Sequence, residues 1–164
     1  MIYRIANKDD INVILQMKNR VKLRILNEEL PIWLNGYPTD DLIKLDINNG
    51  YGRVVEIDGV IVSYAYFAPS EIEYKTELEN ITNMQSFGRV MVDNCYLKMG
   101  IGKFLVYNMI NESKKLGKNG MIITADEFNI KAVSLYESFG FKKIGEKQFP
   151  YAYLSIYELK FLGG

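Results

Sequence analysis

Two rhythms of hydrophobic and polar positions run along this chain, one near period two and one near 3.6. Residues 2–6 suit a short first strand. From about Asp10 the spacing turns helical, with Ile11, Ile14, Leu15, Val21 and Ile25 on one face. Asp9 and Asp10 precede it, where the helix dipole favours acids. Pro31 cannot continue that helix, so it ends by about Leu30. Pro38-Thr39-Asp40-Asp41 predicts a second helix start with Thr39 as N-cap, and Asn49-Gly50 its end. Residues 52–57 and 60–67 are β-rich and flank Asp58-Gly59, a strong two-residue hairpin signal. Residues 69–83 are polar and read as an exposed connection. Residues 87–92 read as a buried strand. A helix over 100–116 turns Ile101, Phe104, Leu105 and Met109 inward and closes at Gly117. A buried strand over 121–125 follows, then a short helix over 129–139 with Gly140 just past its end. Residues 141–144 and 153–161 are closing strands. The order β-α-α-β-β-β-α-β-α-β-β predicts an α+β fold with helices on a largely antiparallel sheet. No linker, internal repeat or low-complexity tract interrupts it, so 1–164 reads as a single domain.

Composition changes that picture mainly by exclusion. Lys+Arg and Asp+Glu both total 20, so no net field argues for nucleic acid or an anionic membrane as partner. The first ten residues place acids ahead of any long apolar run, unlike a signal peptide. No stretch approaches the ~18 apolar residues of a membrane span, so a cytoplasmic location is expected. The one cysteine, Cys95, permits no intrachain disulfide, which fits a reducing compartment. There is no histidine at all. Ser-His-Asp and Cys-His machinery and His-containing zinc sites are therefore excluded. Cys95 alone cannot build a thiolate cluster, so no metal is expected. It reads as a loop or half-buried thiol rather than a nucleophile. Chemistry here must rest on tyrosine, carboxylates, backbone amides or a cofactor.

The chemistry-bearing candidates form two segments. In Lys98-Met99-Gly100-Ile101-Gly102-Lys103 a glycine turn feeds a helix. Such a start aims several unpaired N–H groups in one direction, and the dipole adds positive charge, so a pyrophosphate fits there. Glycine at 100 and 102 would allow close approach or a positive φ. A Walker loop fits poorly, because Phe104 follows Gly102-Lys103 where a Ser or Thr is needed and the glycine spacing differs. A dinucleotide fingerprint departs at Leu105 and in the motif's late place in the chain; a nucleotide phosphate-binding domain and a plain glycine-rich helix start with no ligand stay open as readings. The second segment runs from Asn129 through Ala132 and Tyr136 to Gly140-Phe141. Asn129 and Tyr136 are seven residues apart, about two helical turns, and so share a face. Read alone, Asn129 is equally a helix cap, and Tyr136 equally a half-buried core aromatic.

Together and in this order, the two segments resemble the cofactor-binding elements of the GCN5-related N-acetyltransferase (GNAT) family. The glycine turn matches Arg/Gln-x-x-Gly-x-Gly/Ala at both glycines, with Leu97 at its first position and Lys98 beside it. The later helix matches Asn-x-x-Ala-x-x-x-Tyr-x-x-x-Gly-Phe throughout. Trp33, Tyr37, Pro38 and Thr39, ahead of an acidic helix start, resemble small bacterial members. The resemblance implies an acyl-CoA N-acyltransferase fold, a mixed and largely antiparallel sheet flanked by helices. It implies acetyl-CoA as cosubstrate and transfer of the acetyl group to a primary amine by direct attack. It assigns Val90, Met91 and Val92 to the pantetheine and the thioester carbonyl, and Lys98, Met99, Gly100, Ile101, Gly102 and Lys103 to the diphosphate. It gives Asn129 and Ala132 to the pantetheine arm, and Tyr136 to the sulfur as general acid. A non-catalytic acyl-CoA-binding module on the same fold is the alternative.

The acceptor, a small-molecule amine or a protein amine, is not legible. Trp33, Tyr37, Phe149, Tyr151 and Tyr153 are candidates to wall its pocket, with Glu28 and Glu29 to attract a cation. The family's usual base position holds Thr124, leaving Glu71, Glu73, Asp126 or a water chain. Asp126 and Glu127 read equally as solvated loop charges. An exposed final strand would suit pairing across a homodimer.

Overall fold

The computed structural model describes residues 1–72, 83–150 and 152–162. Asn7 opens its first helical turn with a capping box. The Asn7 side chain accepts the Asp9 N–H, and the Asp10 carboxylate accepts the Asn7 N–H. That turn leads into α1 (Ile11–Asn27), which buries Ile14, Met17, Val21 and Ile25 at helical spacing. The inner face packs in one cluster with Ile43 and Ile47 of α2 (Asp40–Asn48) and with Val54, Ile61, Tyr64 and Met91. Thr39 caps α2 as the sequence predicts, its hydroxyl accepting the Leu42 N–H at 3.1 Å.

The other elements follow the predicted order. They are β1 (Ile2–Ile5), β2 (Gly52–Ile57), β3 (Val60–Pro69), β4 (Met84–Val92), α3 (Ile101–Lys115), β5 (Gly120–Ala125), α4 (Ile130–Ser138), β6 (Lys142–Gln148) and β7 (Tyr153–Lys160). Asp58 and Gly59 both take positive φ, 49° and 79°, which gives the tight primed turn joining β2 to β3. Between the ends of the 69–83 connection, only a 3-10 turn at Ser70–Ile72 is described. Glu73 and Tyr151 lie outside the described residues.

The seven strands form one sheet in the order β1-β2-β3-β4-β5-β7-β6. The β4–β5 pair is parallel, while β1–β2, β2–β3, β5–β7 and β6–β7 are antiparallel. Contacts group the chain into two compact units, Met1–Tyr66 with Arg89–Leu105 and Phe67–Gly88 with Val106–Gly164. The boundary falls inside β3, β4 and α3. Among the described residues no helix is long and apolar enough to cross a membrane.

One expectation is corrected. The final strand is not an exposed edge. β7 lies between β5 and β6 and has ladder partners on both sides, from Gly120↔Lys160 to Ala125↔Ser155 and from Lys142↔Glu158 to Gln148↔Tyr153. The edge on that side is β6, whose Lys142, Lys143 and Lys147 suit a solvated strand that resists further pairing. Of the two settings expected for Cys95, a loop or a half-buried site, the first is found: it sits exposed on the 3-10 turn Asn94–Tyr96.

Candidate active site

In the first unit the chain enters α3 through a contorted turn. Leu97 is extended, Lys98 takes φ 63° and Gly100 takes φ 76°. The first helical bond there runs from Phe104 N–H to Gly100 O at 3.0 Å. The N–H groups of Ile101, Gly102 and Lys103 come before that bond and so have no acceptor within the helix. Ile101 is buried and anchors the corner, whereas Lys98, Met99, Gly100 and Lys103 are exposed. The need for a positive φ holds at Gly100 but not at Gly102, which lies within α3 on ordinary helical backbone. Leu97 is exposed and offers no side-chain donor.

The same unit holds Val90, Met91 and Val92 at the end of β4. The ladder between β4 and β5 runs from Met84↔Gly120 to Phe87↔Ile123 and stops there, although β4 continues to Val92. Two residues on, Arg89 takes φ 48°, a left-handed backbone rare for any residue with a Cβ. Beyond it side chains also bond the strand's carbonyls. The Ser63 hydroxyl donates to Met91 O at 2.7 Å and the Arg24 guanidinium to Val92 O at 3.2 Å. Asp93 then caps the 3-10 turn by accepting the Asn94 N–H. The Arg20 guanidinium bonded to it keeps the Asp93 carboxyl below the usual carboxylate range, so this cap stays ionised.

The second unit holds Asn129, Ala132 and Tyr136. Asn129 is the N-cap of α4, its Oδ1 accepting the Ala132 N–H at 3.4 Å. Tyr136 is 3% exposed. Its ring meets Phe87 edge-on at 5.5 Å and Phe141 at 6.1 Å. Burial pushes its phenol pKa upward, so the proton stays on at neutral pH.

The base and acceptor candidates fare unevenly. Thr124 sits in β5 opposite Ile156. Asp126 accepts the Phe128 N–H at 2.9 Å in a local turn. Glu127 is exposed and pairs with Lys143 and Ser155; the Lys143 ammonium keeps its carboxyl low. Glu71, also exposed, accepts the Asn83 N–H at 3.3 Å. Among the aromatics, Phe149 is buried in a cluster with Ile122 and Ile156. Tyr153 is exposed and donates to Glu146 at 2.7 Å. Trp33 lines a cavity of about 510 Å³ with Lys22, Leu26 and Leu30. Glu28 caps the end of α1, and Glu29 is exposed at φ 56°.

Sequence reasoning missed one buried ionic group. Arg89 and Asp46, with side chains 9% and 4% exposed, form a forked pair at 2.8 Å through both carboxylate oxygens. The signal was available, since an arginine inside a run expected to be buried must find a partner.

A model of the acetyltransferase (GNAT) family matches residues 22–141. No curated protein sequence matches this chain. Solved structures do. A GNAT-family acetyltransferase from Streptococcus agalactiae is similar over 97% of this chain and 94% of its own, with TM-score 0.84 and 21% identity. The ribosomal-protein-S18-alanine N-acetyltransferase from Escherichia coli is similar over 97% and 92%, with TM-score 0.72 and 16% identity. The structure of yncA from Salmonella typhimurium with its cofactor acetyl-CoA is similar over 97% and 92%, with TM-score 0.69 and 22% identity. At such identities the likeness speaks for the fold, and the expected mixed, largely antiparallel α+β architecture is the one found. With the family model spanning most of the chain, from α1 to the end of α4, this protein belongs to the acetyltransferase (GNAT) family and is an acetyltransferase.

Proposed function

We propose that this enzyme moves the acetyl group of acetyl-CoA onto a primary amine, of a small molecule or of a protein, by direct attack, with Tyr136 as general acid. The observation that carries this reading is the start of α3. There a left-handed Gly100 precedes three amides without helical acceptors, and Lys98 and Lys103 add charge nearby. A diphosphate satisfies those donors and the dipole together.

The other roles follow from chemistry. Val90 to Val92 offer strand-like hydrogen bonding to the pantetheine amides, because the ladder to β5 has ended before them. A backbone N–H of that stretch polarises the thioester carbonyl and steadies the negative charge that builds on its oxygen. Asn129 and small Ala132 serve the pantetheine arm. In the reaction the amine nitrogen forms a bond to the acetyl carbon, the carbon–sulfur bond breaks, and the amine's proton leaves to base or solvent. The departing thiolate takes the Tyr136 proton. A buried phenol holds its proton tightly, and a thiolate in equally dry surroundings has its own proton affinity raised by the same cause, so the two stay matched. No acyl-enzyme is required, which agrees with a chain lacking histidine and carrying a single cysteine. The yncA structure with acetyl-CoA supports the choice of cosubstrate.

The test is thiol release from acetyl-CoA with a panel of small amines, amino-acid-like amines, and peptides offering a free N-terminus or lysine. The expected result is release that depends on one amine class and saturates with it. Tight CoA binding with no release from any amine would overturn the reading in favour of a non-catalytic acyl-CoA-binding module.

A further inference from the structure

The left-handed backbone at Arg89 lies immediately before the stretch that the proposed function gives to the thioester. A residue with a Cβ stays in that conformation only when its surroundings hold it there. The Arg89 side chain shows how. Its Nε and Nη2 each donate to Asp46 of α2 at 2.8 Å, and its Nη1 donates to the Tyr37 hydroxyl at 3.0 Å. The guanidinium lies 4.2 Å from the centre of the Tyr66 ring. Asp46 also accepts the Tyr64 hydroxyl at 2.9 Å, and Tyr64 is fully buried. All three guanidinium nitrogens of Arg89 are bonded, so rotating the backbone at residue 89 would pull a buried ion pair apart.

We propose that Arg89 is a positioning residue for acyl transfer: gripped by Asp46 and Tyr37, it fixes the bend that sets the direction of the Val90–Val92 amides. The proposal rests on the reading that those amides serve the thioester. Ser63 and Arg24 hold the carbonyls of Met91 and Val92, whereas Arg89 acts at the bend itself. Misplacing a polarising N–H by a fraction of an ångström slows the chemical step far more than it weakens a cofactor held chiefly by its diphosphate.

The test compares Arg89→Lys, Asp46→Asn and Tyr37→Phe with the wild-type enzyme. Lysine keeps the charge and loses the fork. The expected result for Arg89→Lys and Asp46→Asn is kcat lower by about tenfold or more, with the acetyl-CoA Kd changed by less than about threefold. Tyr37→Phe, which retains both buried charges, should lower kcat by about threefold and decides the matter if the other two do not fold. Amide hydrogen exchange in the protein alone is the second readout. Exchange at Val90–Val92 should quicken selectively in these variants, with β1 and β2 amides unchanged. Unchanged kcat in folded variants would overturn the proposal. So would parallel losses in kcat and affinity with uniformly faster exchange, the mark of general loosening. A wild-type enzyme without thiol release would defeat the acyl-transfer reading instead, and exchange would still report whether Arg89 holds the strand.

Discussion

Tyr136→Phe lowers kcat about a hundredfold, at the low end of what a positioned general acid contributes, and leaves the fold intact. The ring is what the structure uses: Phe87 and Phe141 pack against it edge-on, and phenylalanine preserves those contacts. Among the described residues no side chain or backbone group is shown bonding the Tyr136 hydroxyl. Its removal should therefore change stability by less than about 1 kcal/mol. The KM for acetyl-CoA should move by less than about threefold, because the lost interaction belongs to the departing thiolate and not to bound substrate. The pH profile has a definite sign. Burial raises the phenol above its ordinary 10.0, so the acid is in its working, protonated form at every lower pH. Any loss of rate from its ionisation begins only above that value. Steady-state kinetics, with a melting curve on each protein, check all of this. Full kcat in the phenylalanine variant would remove Tyr136 from the mechanism.

The second large effect is on stability. Gly120→Ala should destabilise the protein by about 3 kcal/mol or prevent folding, at the upper end of overpacking costs. Gly120 begins β5 with β4 on one side and β7 on the other. A Cβ there would sit 2.3 Å from the Leu159 carbonyl oxygen and 3.1 Å from the Lys160 Cα. Both are ladder backbone and cannot move aside without opening the β5–β7 register. The Met84 methyl at 2.9 Å could swing away, but the carbonyl could not. Thermal unfolding of the variant should show a midpoint lower by about 10 °C for a chain of this size. A midpoint unchanged within error would contradict the packing described here. Gly59 makes the useful contrast. A Cβ there meets nothing, and only its φ of 79° is at stake, so Gly59→Ala costs about 1 kcal/mol.

Where local chemistry decides, the fold was legible. Thr39, Asp58-Gly59, Gly117 and Gly140 each punctuate the chain for reasons contained in a few neighbouring residues, and each does so in the structure. The glycine turn and the Asn129 cap were legible for the same reason. Strand order was not. Nothing local in 153–160 announces that this strand slips between β5 and β6, because that choice depends on partners distant in sequence. The Arg89–Asp46 pair joins residues 43 apart, and the groups clustered about the left-handed Arg89, three tyrosines and an aspartate, come from elsewhere in the chain. The packing of Phe149 with Ile122 and Ile156 depends likewise on strands outside its own segment. The proton acceptor for the amine stayed illegible for a simpler reason: Glu71, Asp126 and Glu127 each already serve local structure.

If backbone amides at the start of α3 hold the diphosphate of acetyl-CoA, an amide nitrogen–proton NMR titration reads that contact residue by residue. Adding CoA should shift the resonances of Ile101, Gly102 and Lys103 strongly and saturably, and desulfo-CoA should do the same. Saturable binding that leaves those three signals in place would contradict the account.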